Sequence, residues 1–544
     1  MAIDQVGIAG SSSSGGEPLG CVVSVRGSQA SVGLPAPPPG GEGQSAVTVG
    51  KFLGIRSGKS LLIGVVTEVG MHALAREHGY RSSALLDLVG EIKEHGTALA
   101  HFQRGVSEYP AIDDQVALIG ARELRLVFNI SGGSAIDIGN LQQDSTIGAY
   151  IDVNEMLSKH FAVLGTTGVG KSSGVVLILQ EVLRTRPDLR IFVLDAHNEY
   201  GRSFGDCALL LNPRNLKLPF WLFNFEEMVD VLFGGRPGLE DEVDILAEVI
   251  PLAKTSYLRH RGSATVKKLD PKTSGYTVDT PVPYRLADLV TLLDERMGKL
   301  ENRSSRMTYH RLITRIESIG HDPRFAFMFE NANVGGDTMA EVLAQLFRLP
   351  PNGKPMTIMQ LAGFPSEVVD AVVSVICRMA FDFGLWSDGA APMLFVCEEA
   401  HRYASADRSI GFGPTRRSIS RIAKEGRKYG IFIGLVSQRP AELDATILSQ
   451  CSTLFAMRMT NDRDQALVRS AVTDTATNLL AFLPSLGTRE VFAFGEGVAL
   501  PMRLKFRRLP LHLLPKSDVV GAASEDVAAA INPDFIASVL ERWR

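Results

Sequence analysis

A glycine-rich stretch, FAVLGTTGVGKS at residues 161–172, constrains the fold more than any other feature of the sequence. An apolar run opens it, and KSSGVVLILQEVLRTRP follows with the pattern of a helix that ends at Pro187. RIFVLDAHNEY comes next, a second apolar segment that ends in acidic residues. Strand, loop, helix and strand together form a βαβ unit, which predicts a parallel sheet.

The loop matches the pattern G-x-x-x-x-G-K-[ST], whose glycines allow backbone N–H groups to face a chain of phosphates. Lys171 is predicted to lie between the β- and γ-phosphates of ATP and Ser172 to bind Mg²⁺, while the helix N-terminus adds its positive dipole end. The alternative is a glycine-rich turn with a surface lysine. The predicted nucleotide-binding residues are Gly165, Thr167, Gly168, Val169, Gly170, Lys171, Ser172 and Ser173.

Two adjacent glutamates follow the apolar run MLFVC. Glu398 and Glu399 are expected at the carboxyl end of a buried strand, where parallel sheets bind their ligands. Hydrolysis of ATP needs an acid that positions the metal and a group that orients water. We expect Glu398 to hold the Mg²⁺ shell and Glu399 to polarise the attacking water; a helix cap or a solvent-facing pair is the alternative.

Further polar residues end the neighbouring predicted strands. Asp195 ends RIFVLD and is predicted either to position water or Mg²⁺ or to shape the turn. Gln438, in SQRP, ends IFIGLV and is predicted either to orient water near the γ-phosphate or to belong to a turn. His197 and His401 have no accompanying ligand cluster and are interpreted as polar residues of the rim.

Residues 416–428, RRSISRIAKEGRK, carry six cations in thirteen residues. The cations that share one face of the predicted helix are Arg417, Arg421, Lys424 and Lys428. Arg427 lies at the C-terminal end of this helix. A solvated basic helix is one interpretation. The other is a helix that faces a neighbouring subunit and supplies an arginine to the nucleotide bound there.

The rest of the chain divides where its pattern changes. Short β-rich segments separated by glycine and proline predict a small β-barrel over residues 1–150, with LRLVFNI (124–130) as one strand and SSSSGG and LPAPPPGG as loops. Residues 151–510 are predicted to form an α/β core, interrupted by amphipathic helices at about 221–340. Residues 511–544 form a tail with one predicted helix, DFIASVLERW.

Composition limits the classes of function. The net charge of −4 gives no global basic field, so contact with nucleic acid requires a local patch. Five distant cysteines without a CxxC pair predict neither a zinc site nor a disulfide framework. VVDAVVSVICRMAFDFGLW contains three charged residues and is predicted to be a buried amphipathic helix rather than a membrane span. We expect a cytoplasmic protein that does not enter a membrane.

Taken in order, five motifs resemble those of the HerA/FtsK superfamily of pumping ATPases, and most closely HerA: GTTGVGKS, LDAHNEY, CEEAHRY, IAKEGRKYG and SQRP. FQRGVSEYP and IDIGNL are similar to segments of the HerA barrel, so the resemblance covers nearly the whole chain. It implies a RecA-like P-loop ATPase core with an N-terminal barrel and a helical insertion. Glu398 departs from the aspartate that is usual at this position of P-loop ATPases, and its longer side chain moves the carboxylate outward.

The resemblance also implies an assembly. It implies a homo-hexamer with ATP sites between subunits and double-stranded DNA in the central pore, with Arg427, alone or with Arg421, completing the neighbouring site. Loops around residues 403–417 are candidates for contact with DNA. HerA proteins work with a nuclease such as NurA in DNA end processing, or with effectors such as sirtuin-like enzymes in antiphage defence, and the barrel face is the implied docking site.

The leading hypothesis is an ATP-driven translocase or helicase of double-stranded DNA. Two alternatives stay open. One is a pump for protein or conjugation substrates, although such relatives usually carry membrane helices. The other is a ring scaffold, switched by nucleotide, that assembles and activates a partner enzyme.

Overall fold

The structure is a computed structural model that describes residues 18–35, 47–71, 79–130, 132–234, 240–260, 275–330, 336–409, 411–472, 478–515 and 537. The predicted loops SSSSGG and PAPPPGG, beyond Pro35, and the predicted helix DFIASVLERW, apart from residue 537, lie outside these residues. The chain falls into two units: Met1–Met156 with Thr453–Arg507, and Leu157–Ser452 with Arg508–Arg544. Residues 453–507, which the sequence placed in the core, therefore belong to the first unit.

The strands in chain order are β1 (Pro18–Arg26), β2 (Gln29–Leu34), β3 (Phe52–Ser57), β4 (Ser60–Gly70), β5 (Ser82–Lys93), β6 (His101–Arg104), β7 (Gln115–Leu118), β8 (Ala135–Leu141), β9 (Gly148–Asp152), β10 (His160–Leu164), β11 (Arg190–Asp195), β12 (Ala208–Leu211), β13 (Met356–Gln360), β14 (Met393–Cys397), β15 (Ile431–Ser437), β16 (Cys451–Ala456), β17 (Glu490–Gly495) and β18 (Met502–Phe506). The α-helices are α1 (Ala121–Phe128), α2 (Val153–Ser158), α3 (Lys171–Thr185), α4 (Gly201–Phe204), α5 (Phe225–Phe233), α6 (Glu240–His260), α7 (Leu286–Gly298), α8 (Arg303–Gly320), α9 (Ala326–Phe329), α10 (Met339–Phe347), α11 (Val369–Trp386), α12 (Gly413–Glu425), α13 (Ala445–Leu448) and α14 (Asp462–Ala471).

The first unit contains the predicted barrel. Its strands follow the order β2-β1-β7-β3-β4-β5, and β5 pairs back onto β2, so that six antiparallel strands close on themselves while β6 extends the sheet beyond β5. The apolar residues that fill it include Val32, Leu53, Ile55, Leu62 and Leu86. A second antiparallel sheet of this unit runs β16-β17-β18-β8-β9, and it draws the C-terminal strands to the N-terminal part of the chain.

One predicted strand of the barrel is wrong. LRLVFNI belongs largely to α1 (Ala121–Phe128), which buries Leu124, Val127 and Phe128. These residues stand at i, i+3 and i+4, which is the spacing of one helical face. The run is rich in β-favouring residues, but burial of this face decides its conformation.

The second unit is built on six parallel strands in the order β12-β13-β11-β14-β15-β10. Every residue of β10 and β14 is buried, as expected for parallel strands covered on both faces. In the registers, Leu164 of β10 pairs with Ser437 of β15, and Cys397 of β14 pairs with Leu435. These strands therefore end together at one edge of the sheet. The predicted α/β fold with a P-loop core, a barrel and additional helices is confirmed.

Helices α5 to α8 lie within the predicted insertion, and α11 is the predicted buried amphipathic helix. Among the described helices, none combines the length and the apolarity needed to cross a bilayer.

A buried ion pair joins α5 to α11. Asn224 and Glu227 form a capping box at the start of α5, in which each side chain accepts a hydrogen bond from the backbone N–H of the other. The fully buried Glu227 carboxylate also accepts from Arg378 Nη2 at 2.9 Å and from Ser374 Oγ at 2.7 Å. Burying a charge is tolerable only when it is paired in this way, so Glu227 fixes how the insertion begins.

We expect Glu227→Ala to lower the free energy of unfolding by about 3 kcal/mol, because it removes a helix cap and leaves Arg378 without its partner. Urea unfolding followed by the fluorescence of the buried Trp221 measures the change. Glu226→Ala is the matched control on the same helix. Glu226 is 61 % exposed in its ion pair with Arg417, so its loss costs less than about 1 kcal/mol. Equal losses in the two variants would contradict the role given to Glu227.

Candidate nucleotide-binding site

The phosphate-binding loop connects β10 to α3. Gly168 and Gly170 have φ angles of +75° and +90°, which residues with a Cβ rarely adopt, so both glycines are required by the turn. Val169 between them is fully buried and anchors the loop. Lys171 and Ser172 open the fifteen-residue helix α3, and its N-terminus therefore faces the loop as an anion-binding end.

Gln438 belongs to the same edge as this loop. Gly165 N donates to Ser437 O at 3.2 Å, which continues the pairing of β10 with β15 past the strand end. Thr167, two residues after Gly165, donates from its Oγ1 to Gln438 Oε1 at 2.5 Å. The structure thus joins the predicted nucleotide-binding Thr167 to the predicted water-orienting Gln438.

Glu398 follows β14 and is buried, with 4 % of its surface exposed. Its Oε2 accepts a hydrogen bond from Ala196 N at 3.1 Å, which ties it to the end of β11. Burial raises the pKa of Glu398 well above its usual value, whereas the positive charge of Lys171 lowers it. The carboxylates that raise this pKa further are those of Asp195, Glu199 and Glu399. The acids and the lysine therefore share one electrostatic environment.

Glu399 is held in a strained conformation. Its φ of +50° lies in the left-handed region that non-glycine residues seldom occupy, and such strain is concentrated at functional sites. Its buried Oε2 has no hydrogen bond of normal geometry, although His401 Nδ1 lies 3.2 Å away. His197 Nε2 lies 3.7 Å from Oε1 on the other side. The two histidines interpreted as rim residues thus flank the glutamate, and burial lowers the pKa of His401.

Asp195 shapes the loop that follows β11. Its two carboxylate oxygens accept hydrogen bonds from Glu199 N at 3.0 Å and from Tyr200 N at 3.1 Å. Asn198 within this turn has a φ of +56°. Both oxygens therefore hold the backbone of this turn. A role for Asp195 in positioning water or Mg²⁺ stays a prediction.

The turn presents a residue that sequence reasoning missed. Glu199 Oε2 accepts a hydrogen bond from Ser172 Oγ at 3.0 Å. An acid from the loop after β11 therefore contacts the hydroxyl that is predicted to bind Mg²⁺. Glu199 is visible in the motif LDAHNEY, but its spacing from Asp195 does not reveal where the turn directs it.

The residues fit ATP with Mg²⁺. Within the described ranges, no group of three or more His, Cys, Asp or Glu side chains is arranged to hold a metal alone. Mg²⁺ in nucleotide sites needs only one or two protein ligands, because phosphates and waters supply the rest. Ser172 and the buried acids are the residues that would hold the ion. Burial raises the pKa of Glu398, and the neighbouring carboxylates raise it further, so a cation would be favoured beside it. When bound, Mg²⁺ neutralises charge on the phosphate oxygens.

The two predicted finger arginines lie in different settings. The Arg421 guanidinium lies 4.0 Å from the ring centroid of Phe381 and its Nη1 lies 3.4 Å from Asp382 Oδ1, so its own subunit holds it. Arg427 lies exposed in the 3₁₀ turn Gly426–Tyr429, before β15 begins. The seven residues of β15 separate this turn from Gln438 by about 20 Å.

Comparison with known proteins places these observations in a wider group. The family described as "Helicase HerA, central domain" matches residues 136–380. A probable helicase of Methanocaldococcus jannaschii is 24% identical over 487 residues, 85% of this chain and 86% of that protein. The DNA double-strand break repair helicase HerA of Pyrococcus furiosus is 26% identical over 450 residues, 76% of this chain and 75% of that protein.

Solved structures show a more distant likeness. VirB4 of Thermoanaerobacter pseudethanolicus matches with a TM-score of 0.46 and 15% identity, over 70% of this chain and 98% of that one. The plasmid coupling protein TrwB, solved with a non-hydrolysable ATP analogue, matches with a TM-score of 0.44 and 14% identity, over 72% of this chain and 93% of that one.

We expect Glu199→Gln to weaken the contribution of Mg²⁺ to nucleotide affinity by roughly 10- to 100-fold, because Glu199 orients the Ser172 hydroxyl. Titration with a fluorescent ADP in EDTA and in Mg²⁺ measures this contribution. Glu181→Gln, in the C-terminal half of α3 where Glu181 pairs with Arg184, is the control. An unchanged response of Glu199→Gln to Mg²⁺ would refute this role.

Proposed function

We propose that this chain is a HerA-family protein. In this proposal it is an ATP-driven translocase or helicase that moves double-stranded DNA, and it acts as a homo-hexamer in DNA end processing or antiphage defence. The proposal rests on one observation above all. The phosphate loop, Gln438 and Glu399 meet at a single edge of the parallel sheet, which is where such a reaction is carried out.

The side chains divide the work of hydrolysis. Lys171 binds the β- and γ-phosphates as a point charge, and Ser172 supplies a hydroxyl oriented by Glu199. The buried Oε2 of Glu399 accepts a hydrogen bond from the attacking water and polarises it. Gln438, positioned by Thr167, orients that water toward the γ-phosphate. Glu398, which shares the electrostatic environment of Lys171, would hold the Mg²⁺ shell.

A neighbouring subunit completes the site with Arg427. Its position beyond the far end of β15 supports this role, because an arginine side chain cannot span a strand of about 20 Å to reach the phosphates bound by its own subunit.

His160 helps to hold the turn Gly426–Tyr429, which carries Arg427, in position. Its Nε2 lies 2.9 Å from Ala423 O in the last turn of α12, and Ile433 N donates to its Nδ1 at 3.1 Å. Burial lowers the pKa of His160 to about 4, so the ring stays neutral and keeps both bonds at physiological pH.

The partner is proposed to be a nuclease or another effector enzyme that docks on the barrel face. The curated relative from Pyrococcus furiosus is named a double-strand break repair helicase, which favours repair as the setting. The scaffold alternative predicts a different dependence on turnover: a partner enzyme would be activated by nucleotide binding alone.

We expect Glu399→Gln to reduce the ATPase rate by roughly 100- to 1000-fold while Mg²⁺–ATP affinity changes by less than about threefold, since the amide cannot accept the proton of the water. Turnover with and without duplex DNA, together with nucleotide titration, measures both effects. Glu341→Gln, at an exposed position of α10, is the control. Retained turnover would remove Glu399 from the reaction, and partner activation that survives the loss of turnover would favour the scaffold.

We expect Arg427→Ala and Lys171→Ala to be inactive separately and to recover activity when their subunits are mixed. The Lys171→Ala subunit still carries Arg427 and can complete the intact pocket of its neighbour. ATPase assays of mixed assemblies, with light scattering to verify the rings, measure the recovery. Lys424→Ala, from the same helix, is the control and stays active alone. Rings that form without any recovery would contradict a role for Arg427 between subunits.

A further inference from the structure

A histidine ring beside Glu399 has two acceptors within reach of one nitrogen. His401 belongs to the 3₁₀ turn Ala400–Arg402 after β14, and 11 % of its side chain is exposed. Its Nδ1 lies 3.2 Å from Glu399 Oε2 and also 3.2 Å from the hydroxyl of Ser437, the last residue of β15. Only the contact with Ser437 has hydrogen-bond geometry, and Glu399 Oε2 has no hydrogen bond from any described residue. The serine therefore takes the bond that the glutamate lacks.

We assign the proton of the ring to Nδ1. A carboxylate oxygen offers only lone pairs, so an unprotonated Nδ1 at 3.2 Å from Glu399 Oε2 would set two lone pairs against each other. Burial lowers the pKa of His401, so the ring is neutral at physiological pH and carries a single N–H. That one donor cannot serve Ser437 and Glu399 fully at the same time.

The surroundings of Ser437 hold its hydroxyl in place. Ser437 is fully buried, and its Oγ also accepts a hydrogen bond from Arg439 N at 3.0 Å, so both lone pairs of the hydroxyl are used. Its carbonyl oxygen accepts from Gly165 N in the phosphate loop. An antiparallel bridge between Ser405 and Leu443 joins the loops that follow β14 and β15. These bonds fix the hydroxyl relative to the histidine ring.

We propose that Ser437 is a positioning residue for ATP hydrolysis: by holding the Nδ1–H of His401, it keeps this donor away from Glu399 Oε2. A hydrogen bond to a carboxylate stabilises its charged form and makes it a poorer proton acceptor. With the donor held by the serine, Oε2 keeps its lone pairs free for the attacking water. This inference rests on the proposed function, in which Glu399 polarises that water, and it adds a serine that acts through a neighbouring ring.

Removal of the hydroxyl in Ser437→Ala leaves Glu399 Oε2, 3.2 Å away, as an acceptor for the released N–H. We expect kcat for ATP to fall by about tenfold while KM stays within about twofold, because the proton acceptor is obstructed and the phosphate contacts are kept. Steady-state ATPase assays of the full chain measure both constants. Ser449→Ala, at an exposed serine directly after α13, is the matched control and keeps both values.

A second substitution separates this role from damage to the strand. In a His401→Phe background, Ser437→Ala is expected to change kcat by less than about twofold, because no N–H is left to be released. In a His401→Asn background it is expected to lower kcat as in the wild type, because the amide places an N–H near the position of Nδ1. Wild-type kcat in Ser437→Ala, or an equal loss in the His401→Phe background, would overturn the inference.

A crystal structure of Ser437→Ala follows the same donor without turnover. We expect the ring of His401 to turn until its Nδ1–H donates to Glu399 Oε2 at about 2.8 Å, the usual length of a charge-assisted bond. A ring that keeps its orientation would overturn the inference whatever the rates are. A wild-type chain that hydrolyses no ATP, or full turnover in Glu399→Gln, would instead reject the proposed function, and with it the part of this inference that concerns hydrolysis.

Discussion

The hydrogen-bonded register of the parallel sheet is the constraint on which the rest of the site depends. Thr167, Gln438 and Glu399 come from three distant parts of the chain, and they meet only because β10, β15 and β14 end at one edge. A slip of one residue between neighbouring strands would direct their side chains to opposite faces. Burial of the apolar residues of β10 and β14 prevents such a slip. The same burial therefore forms the core of the second unit and fixes the positions of the site residues.

The negative charge of the buried carboxylates is the second constraint on the site. Three neighbouring carboxylates, those of Asp195, Glu199 and Glu399, act on Glu398 together with Lys171, although burying carboxylates is unfavourable. Backbone N–H groups compensate part of this charge at Asp195 and Glu398. Glu399 receives no such compensation at its buried Oε2 and has a strained backbone in addition. The fold thus places a buried carboxylate oxygen without a hydrogen bond at the sheet edge that carries the phosphate loop, where a bound nucleotide and metal would offset the cost.

Local patterns in the sequence predicted most of the fold and part of the site. The glycine loop, the buried strands of the parallel sheet and the amphipathic helices of the insertion each carry a short-range signal, and these elements occur in the structure. LRLVFNI was misassigned because its residues favour strands while its spacing fits a helix. Glu199 and the bridge between Ser405 and Leu443 depend on how distant loops fold back, which no local spacing encodes. The same holds for residues 453–507, whose strands pair with a segment more than three hundred positions earlier.

The position of Arg427 beyond the far end of β15 has a consequence for regulation. Under the proposed function, a solitary subunit can hold ATP but lacks the group that speeds its cleavage. ATP hydrolysis then depends on assembly, and a dissociated subunit or an incomplete ring hydrolyses little ATP. Assembly of the ring would itself switch on hydrolysis, with no need for a separate inhibitor.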